Sequence, residues 1–465
     1  MKEPQVIGYL PDERPPIWKL FLYALQQVVV MFPATILVAL ITGFHVSTTI
    51  FASGLATICF ILITGKKIPL YYGSSFSYLS AIASIMVTQR AFGEVAPDAE
   101  IAIAQFGIIM SGLVSIVAGL IIKLIGKKAI DFVLPATVTG PIAMIIGLSL
   151  AGNALKDASG YAKVEDVVTV NNYFWIVALI TLFATILFSV YLKGVLGQLP
   201  LLFGPLVGCL AAYIIGLNTG TNLFRELSAT AGQGIFALPH FTLPIPSWAA
   251  VLAIMPIAIA TIPESTAHVY QLDIYVNDLA KKKNTGKKYN IAEKLWINLV
   301  GDGVGDMVSA AIGGPAGTNY GENISAMAIT KVFSIWVLGL AAILAMIIAC
   351  FTPLINALYA IPQAVIGGLE VFLFGAIAAQ GIAIMIDKKV DMFNPKNIAV
   401  IATIMVIGVG GQYVFDGNIP FYIQMANEVK QINIPCIAGA AVFGIVLNLI
   451  LSIGKKEKVV EVDAQ

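Results

Sequence analysis

AIGGPAGTNYGENISA, residues 311 to 326, puts four glycines (313, 314, 317 and 321) and the polar residues Thr318, Asn319, Glu322 and Asn323 into an otherwise apolar run. In hydrocarbon every backbone N–H and C=O must be paired inside the protein, so a broken helix is tolerated only where it is buried in protein or lines a cavity. GSSFSYLS, residues 73 to 80, is a second interruption of the same kind. Each comes third among the apolar segments of its half. Paired breaks at corresponding positions are expected when two topological repeats surround a central binding site.

The rest of the chain fits that reading. Of its 465 residues, 58% are hydrophobic and 11% charged, against roughly 25% charged in a soluble domain. A water-soluble globule is excluded, because its outer surface would need far more polar residues. Apolar segments run from about residue 18 to residue 453. At roughly 20 residues per crossing they make about fourteen spans. The fold class is therefore an all-α polytopic membrane protein. With both termini cytoplasmic, all but Arg90, Lys156, Lys163, Arg225 and Lys430 of the 27 basic residues fall inside, as the positive-inside rule requires of an even number of crossings. KKKNTGKK, 281 to 288, lies between two apolar segments and reads as a topology-setting cytoplasmic loop rather than a nucleic-acid site. The net charge of +1 gives no reason to expect nucleic acid as a partner. Membrane lipid is the surrounding partner, and no cleavable signal precedes the first span.

Polar residues at membrane depth mark function. Glu264 and His268, four apart in AIATIPESTAHVYQLDIY, share one helical face and can share a substrate or a proton. The alternative is a helix-stabilising pair. Pro263 weakens the hydrogen-bond ladder just before Glu264. A discontinuous helix beginning near Glu322 would expose amide N–H groups to a ligand carbonyl. Phe76 and Ser75 occupy the matching first-half break, Phe76 as a platform for a planar ring or simply as packing. Gln26 and Gln27 in LYALQQVVVMFPA either line the substrate route or brace neighbouring helices. Asp302 and Asp306 in GDGVGDMVSA relay protons, hold helices, or sit at an aqueous mouth, and Glu370 is equally open.

Cys59, Cys209, Cys350 and Cys436 lack zinc-site or disulfide-scaffold spacing, and no compact oxygen-rich or Cys/His cluster is visible, so neither a metal nor a cofactor is expected. GxxxxGK[ST] is missing, which argues against an ATP-driven pump. No nucleophilic grouping argues for an enzyme. Buried carboxylates around a Gly/Ser/Asn-rich midplane fit a closed binding site better than an ionic pore.

ERPPIWK at 13 to 19, KIPLYYGSSFSYLS at 67 to 80, the Glu264/His268 pair and NYGENISAMAITK at 319 to 331 together make the chain resemble the nucleobase-ascorbate transporter family, or nucleobase:cation symporter family 2, and within it the bacterial uracil permeases. The resemblance covers nearly the whole chain. It implies fourteen spans in two inverted seven-span repeats, with short extended pieces in spans 3 and 10, and a homodimer whose core moves like an elevator against a gate. On that scheme 1–17 is a cytoplasmic tail, 18–153 holds core spans 1–4 and the start of the gate, and 154–216 holds gate spans 6–7. Residues 217–248 form an external connection, 249–351 the core spans 8–11, 352–453 the gate spans 12–14, and 454–465 a second cytoplasmic tail.

The same resemblance implies that Glu264 and Glu322 hold the base, with His268 nearby in the proton-coupling network. The backbone amides of Phe76 and Gly321 would donate to pyrimidine carbonyls, with Tyr320 in the same wall. Three positions depart from the family pattern. Gln27 stands for the histidine of the first-span Gln-His motif, whose glutamine is Gln26, and Phe374 stands where uracil permeases can carry tyrosine. Thr318 replaces the glutamine of purine and xanthine transporters; Ser75, Asn319 and Asp302 complete the secondary candidates. The function implied is proton-coupled uptake of uracil across the cytoplasmic membrane of a bacterium. A purine/xanthine or broad nucleobase permease, and a non-transporting nucleobase-binding sensor, are the alternatives.

Overall fold

The structure is a computed structural model and describes residues 8–86, 88, 92–126, 132–164, 167–194, 196–225, 234–425 and 428–453. Of the basic residues used to assign sidedness, Lys2, Arg90, Lys127, Lys128, Lys455, Lys456 and Lys458 lie outside the described residues.

The first half opens with α1 (Ile17–Thr42) and α2 (Val46–Ile63), then a strand, β1 (Tyr72–Ser74), a 3-10 turn (Phe76–Tyr78) and α3 (Leu79–Ala83). It continues through α4 (Asp98–Ile125), α5 (Ala136–Ser149), α6 (Ala151–Ser159), the ribbon β2 (Ala162–Val164) and β3 (Val167–Thr169), α7 (Asn172–Tyr191) and α8 (Pro200–Thr219). The second half runs α9 (Trp248–Ile254), α10 (Ala258–Lys282), α11 (Leu295–Ala311), β4 (Gly317–Asn319), α12 (Gly321–Thr330) and α13 (Ile335–Ala349). It ends with α14 (Thr352–Tyr359), α15 (Gln363–Asp387), α16 (Pro395–Phe415), the hairpin β5 (Asn418–Met425) and β6 (Glu428–Pro435), and α17 (Cys436–Ser452).

Among the described residues nine helical segments are long and apolar enough to cross a membrane, and α13 and α17 are shorter apolar helices. This is an all-α polytopic membrane architecture apart from three two-stranded ribbons among the described residues. The β2–β3 and β5–β6 ribbons are additions to the sequence reading. The boundary expected at 153/154 falls inside α6, which continues α5 as one apolar segment, Ala136–Ser159.

The helices sort into two packed groups. α11 lies along α4 and α2, and α13 along α2 and α1; α15 lies along α5, α6 and α7, and α16 along α17 and α5. Small residues let the backbones close up, as expected where apolar driving force between helices is weak. Where α4 crosses α11, a Cβ on Gly112 would collide with the carbonyl oxygen of Gly303, and one on Gly303 with that of Gly112.

β1 and β4 pair antiparallel, with Tyr72 opposite Asn319, Gly73 opposite Thr318 and Ser74 opposite Gly317. Ser75 N–H donating to Ala316 O at 3.0 Å and Tyr320 N–H donating to Tyr71 O at 3.0 Å extend the ladder at both ends. The two breaks, distant in sequence, thus satisfy each other's backbone in the protein interior. Glycine is required at this crossing, since a Cβ on Gly73 would fall within the Tyr320 ring and one on Gly317 within the Tyr72 ring.

Residues 8–16 and the loop after α10 share one face. Lys283 Nζ bridges Glu13 at 2.7 Å and Lys287 Nζ bridges Asp12 at 2.5 Å. Tyr9 N–H donates to Lys331 O at 2.8 Å, and Phe333 N–H to Tyr9 O at 2.7 Å. The end of the N-terminal segment is docked there, with Leu10 buried.

Candidate functional site

A cavity of about 360 Å³ opens beside the strand pair, within the range of small-molecule sites. One wall is Ser74, Ser75 and Phe76, and another Thr318 to Glu322; α10 supplies Glu264 and His268. The opposing side is apolar, with Leu373, Ala376 and Ile377 of α15, plus one amide, Gln380. The expected group Glu264, Glu322, His268, Phe76, Gly321 and Tyr320 is therefore brought together, with Ser75, Thr318 and Asn319.

Each polar group arrives by a local structural cause. Glu322 sits in the first turn of α12, where the helix dipole favours a negative side chain. The N–H groups of Gly321, Glu322 and Asn323 open that helix and have no intrahelical acceptor of their own. Phe76 opens the 3-10 turn after β1, capped by Ser75, whose Oγ accepts from Ser77 N–H at 3.3 Å. Two chain breaks thus end in short helices that begin at the cavity. Glu264 follows Pro263 inside α10 and is half-buried; Ser77 Oγ donates to Glu264 Oε2 at 3.4 Å. His268, one turn on, is buried with its Nδ1 unpartnered among the described residues. Its Nε2 edge faces Gly321, at a distance where a Cβ on that glycine would press against it.

Hydrogen bonds tie this layer to the residues behind it. Tyr320 is pinned by its hydroxyl to Thr35 Oγ1 of α1 at 2.8 Å. Asn319 lends its amide to Asn298 Oδ1 at 3.1 Å and to Asp302 Oδ2 at 3.2 Å. Asp302 Oδ2 also accepts from Ser265 Oγ at 2.6 Å and Asn298 Nδ2 at 3.1 Å. Asp306 Oδ1 accepts from the Tyr72 hydroxyl at 2.5 Å and from Gly317 N–H at 2.8 Å. Both aspartates are buried, which corrects the aqueous-mouth reading: Asp306 fastens the strand pair to α11, and Asp302 positions Asn319. Gln27 is buried as a brace, its Oε1 accepting from Asn323 Nδ2 at 2.8 Å and its carbonyl from the same amide at 3.0 Å. Neither Gln27 nor Gln26 lines the cavity. Phe374 also stands outside the lining, stacked edge-on behind Phe76 with ring centroids 5.6 Å apart.

Ser325 and Gln380 line the cavity without having been singled out from the sequence, and Ser77 was read only as part of the first break and not as a site residue. Ser77 had a signal in its place within GSSFS, and Gln380 in being the lone amide of GAIAAQGIAIM.

Comparisons with known proteins bear on the family and the fold. The chain is 35% identical over 447 residues to the uracil permease of Bacillus caldolyticus, covering 95% of this chain and 94% of that protein. It is 32% identical over 453 residues to the uracil permease of Escherichia coli strain K12, covering 97% and 96%. Among solved structures it resembles murine solute carrier 26 family member A9, an anion transporter in the inward-facing state. That match has a TM-score of 0.66 at 13% identity, over 95% of this chain and 69% of that one. The transmembrane domain of a cyanobacterial bicarbonate transporter matches with a TM-score of 0.57 at 16% identity, over 92% and 96%. These structures share the fold. A model described as the permease family matches residues 18–417. With that model spanning most of the chain and the motifs of nucleobase:cation symporter family 2 gathered at one cavity, the chain belongs to this family of permeases and is a membrane transporter rather than an enzyme.

Proposed function

We propose that this protein carries uracil, with protons, into a bacterium across its cytoplasmic membrane. The observation that carries the reading is Glu264 and Glu322, from α10 and α12, lining one cavity together with the opening turns of two short helices. Uracil alternates N–H donors with C=O acceptors along its edge. Carboxylates can accept from the first and free backbone N–H groups can donate to the second. The relatives' identity as uracil permeases supports the same substrate.

Ser77 donates its hydroxyl to Glu264, and a second carboxylate, Glu322, shares the cavity. A proton on Glu264 removes one charge from that space, which lowers the cost of moving the loaded site through the membrane. His268 would exchange protons with it.

On this reading there are fourteen spans in two inverted seven-span repeats, with β1 and β4 as the extended pieces of spans 3 and 10. α1–α4 with α9–α13 form the substrate-carrying core, and α5–α8 with α14–α17 the gate. Separate packing of the two helix groups supports the division, and the cavity lies where they meet. It extends toward Gly197, Pro200 and Ile329, near Lys193 and Lys331 in sequence and so toward the face assigned to the cytoplasm, which supports reading this conformation as inward-facing. Elevator motion of the core within a homodimer, with both termini cytoplasmic, completes the proposal.

The test is radiolabelled uracil uptake into proteoliposomes under imposed ion gradients, with thymine, hypoxanthine and xanthine as competitors. Uptake should rise with an inward proton gradient, collapse with a protonophore, and resist the purines. Equal accumulation without any gradient would reject coupling, strong purine competition would point to a broader permease, and binding without counterflow would point to a sensor.

A further inference from the structure

The chain has three histidines, and two of them meet a carboxylate far from the substrate cavity. His45 caps the start of α2, Asp98 is the first residue of α4, and His240 lies in the connection before α9. Both histidines point Nε2 at Asp98, His240 at 2.9 Å from Oδ2 and His45 at 3.8 Å from Oδ1. The imidazole centroids are 4.6 Å apart, and one donor atom from each of the three residues lies within 4.8 Å of the other two. His45 Nε2 is buried and has no hydrogen-bond partner among the described residues.

The backbone around these side chains is fixed. The His45 carbonyl accepts from both Thr49 N–H and Thr49 Oγ1 at 2.9 Å. Thr48 Oγ1 donates to the His240 carbonyl at 2.5 Å. Two residues on, Thr242 Oγ1 donates to Gln105 Oε1 at 2.8 Å, and its carbonyl accepts from Gln105 Nε2 at 2.8 Å. An ordinary His–Asp pair would need only His240. It would not explain a second imidazole aimed at the other oxygen with its own nitrogen left unpaired.

We propose that His45, Asp98 and His240 form a binding site for a divalent transition-metal ion on the outer face, taking zinc as the best-matched ion. Two neutral imidazoles and a carboxylate are the donor set such ions accept in tetrahedral sites, with the fourth position left to water. Asp98 and His240 are about half exposed, so that position opens outward. Zinc–nitrogen and zinc–oxygen bonds are about 2.0–2.2 Å, and side-chain rotation of the exposed Asp98 and His240 can close the remaining gap. A bound ion would staple the connection that joins the two halves of the chain to the corners of α2 and α4. The proposal departs from the expectation, drawn from residue spacing, that the protein holds no metal.

The test uses full-length, untagged protein stripped with chelator in detergent, titrated with zinc alone by calorimetry and by thermal unfolding. One zinc per chain is expected, with a raised unfolding temperature and no comparable response to magnesium. His240→Ala, at an exposed position, should fold normally and weaken zinc binding at least about 100-fold, as loss of a direct ligand should exceed the 10–100-fold effect of losing a supporting group. Asp98→Asn should weaken it as well. Zinc bound equally well by His240→Ala, or no saturable binding by the stripped wild-type protein, would overturn the site.

Discussion

Phe76 and Phe374 meet edge-on, with ring centroids 5.6 Å apart and an interplanar angle of 78°, and they belong to the two separately packed groups of helices. Phe76 opens the 3-10 turn at the cavity, and Phe374 stands behind it on α15. The contact therefore fixes the ring that would stack on a planar base only while the two groups are in this arrangement. Aromatic pairs contribute about 0.5–1.5 kcal/mol beyond burial. Phe374→Leu should keep the fold and raise the KM for uracil about 2- to 10-fold. An unchanged KM in the uptake assay would show that Phe76 needs no such support.

Gln27 holds Asn323 of α12 by accepting two hydrogen bonds from its one amide. Truncating one partner leaves a buried amide short of a bond, at a cost of about 1–3 kcal/mol. Gln27→Ala and Asn323→Ala should each lower the unfolding temperature in detergent. Since both variants remove the bond from Asn323 Nδ2 to Gln27 Oε1, the double variant should fall short of the sum, with a coupling of about 0.5–3 kcal/mol. Strict additivity would mean that the brace does not join α1 to α12.

Composition and spacing carried the apolar spans, the broken third segment of each half and the Glu264/His268 pair, because these rest on length, glycine content and helical period. Long-range pairing carries no such signal. Tyr72 and Asp306 are 234 positions apart, and only the fold shows that the tyrosine hydroxyl ties the first break to α11. His45, Asp98 and His240 stayed hidden for the same reason: each is an isolated residue beside a span, and metal motifs are read from close spacing. The β5–β6 hairpin left a faint trace in the β-prone IPFYI, residues 419 to 423, which the proline and the surrounding spans obscure.

Asp306 supports the strand pair from below. Asp306→Ala would leave the buried Tyr72 hydroxyl and Gly317 N–H without their acceptor, each at about 1–3 kcal/mol. Asp306→Asn keeps one acceptor oxygen and should retain most of the stability. The expected order of unfolding temperature is therefore wild type, then Asn, then Ala. Ala as stable as wild type would remove Asp306 from the scaffold.

Glu322 and Glu264 are assigned different work, and paired substitutions can separate the two roles. Glu322 sits at the start of α12, where, on the proposed function, its carboxylate would meet the base beside the opening amides of the helix. Glu322→Gln keeps the volume but loses a charged acceptor, and hydrogen bonds to charged groups contribute about 1.5–3 kcal/mol. Uracil binding to purified protein should weaken about 10- to 150-fold. Glu264→Gln imitates a permanently protonated side chain while keeping an oxygen for Ser77. It should bind uracil within a few-fold of wild type and exchange it across vesicles, yet lose accumulation driven by a proton gradient. The pattern matters more than either loss. If Glu264→Gln still accumulates uracil under a proton gradient, the proton travels on another group. If Glu322→Gln binds normally, the base is not held at the start of α12.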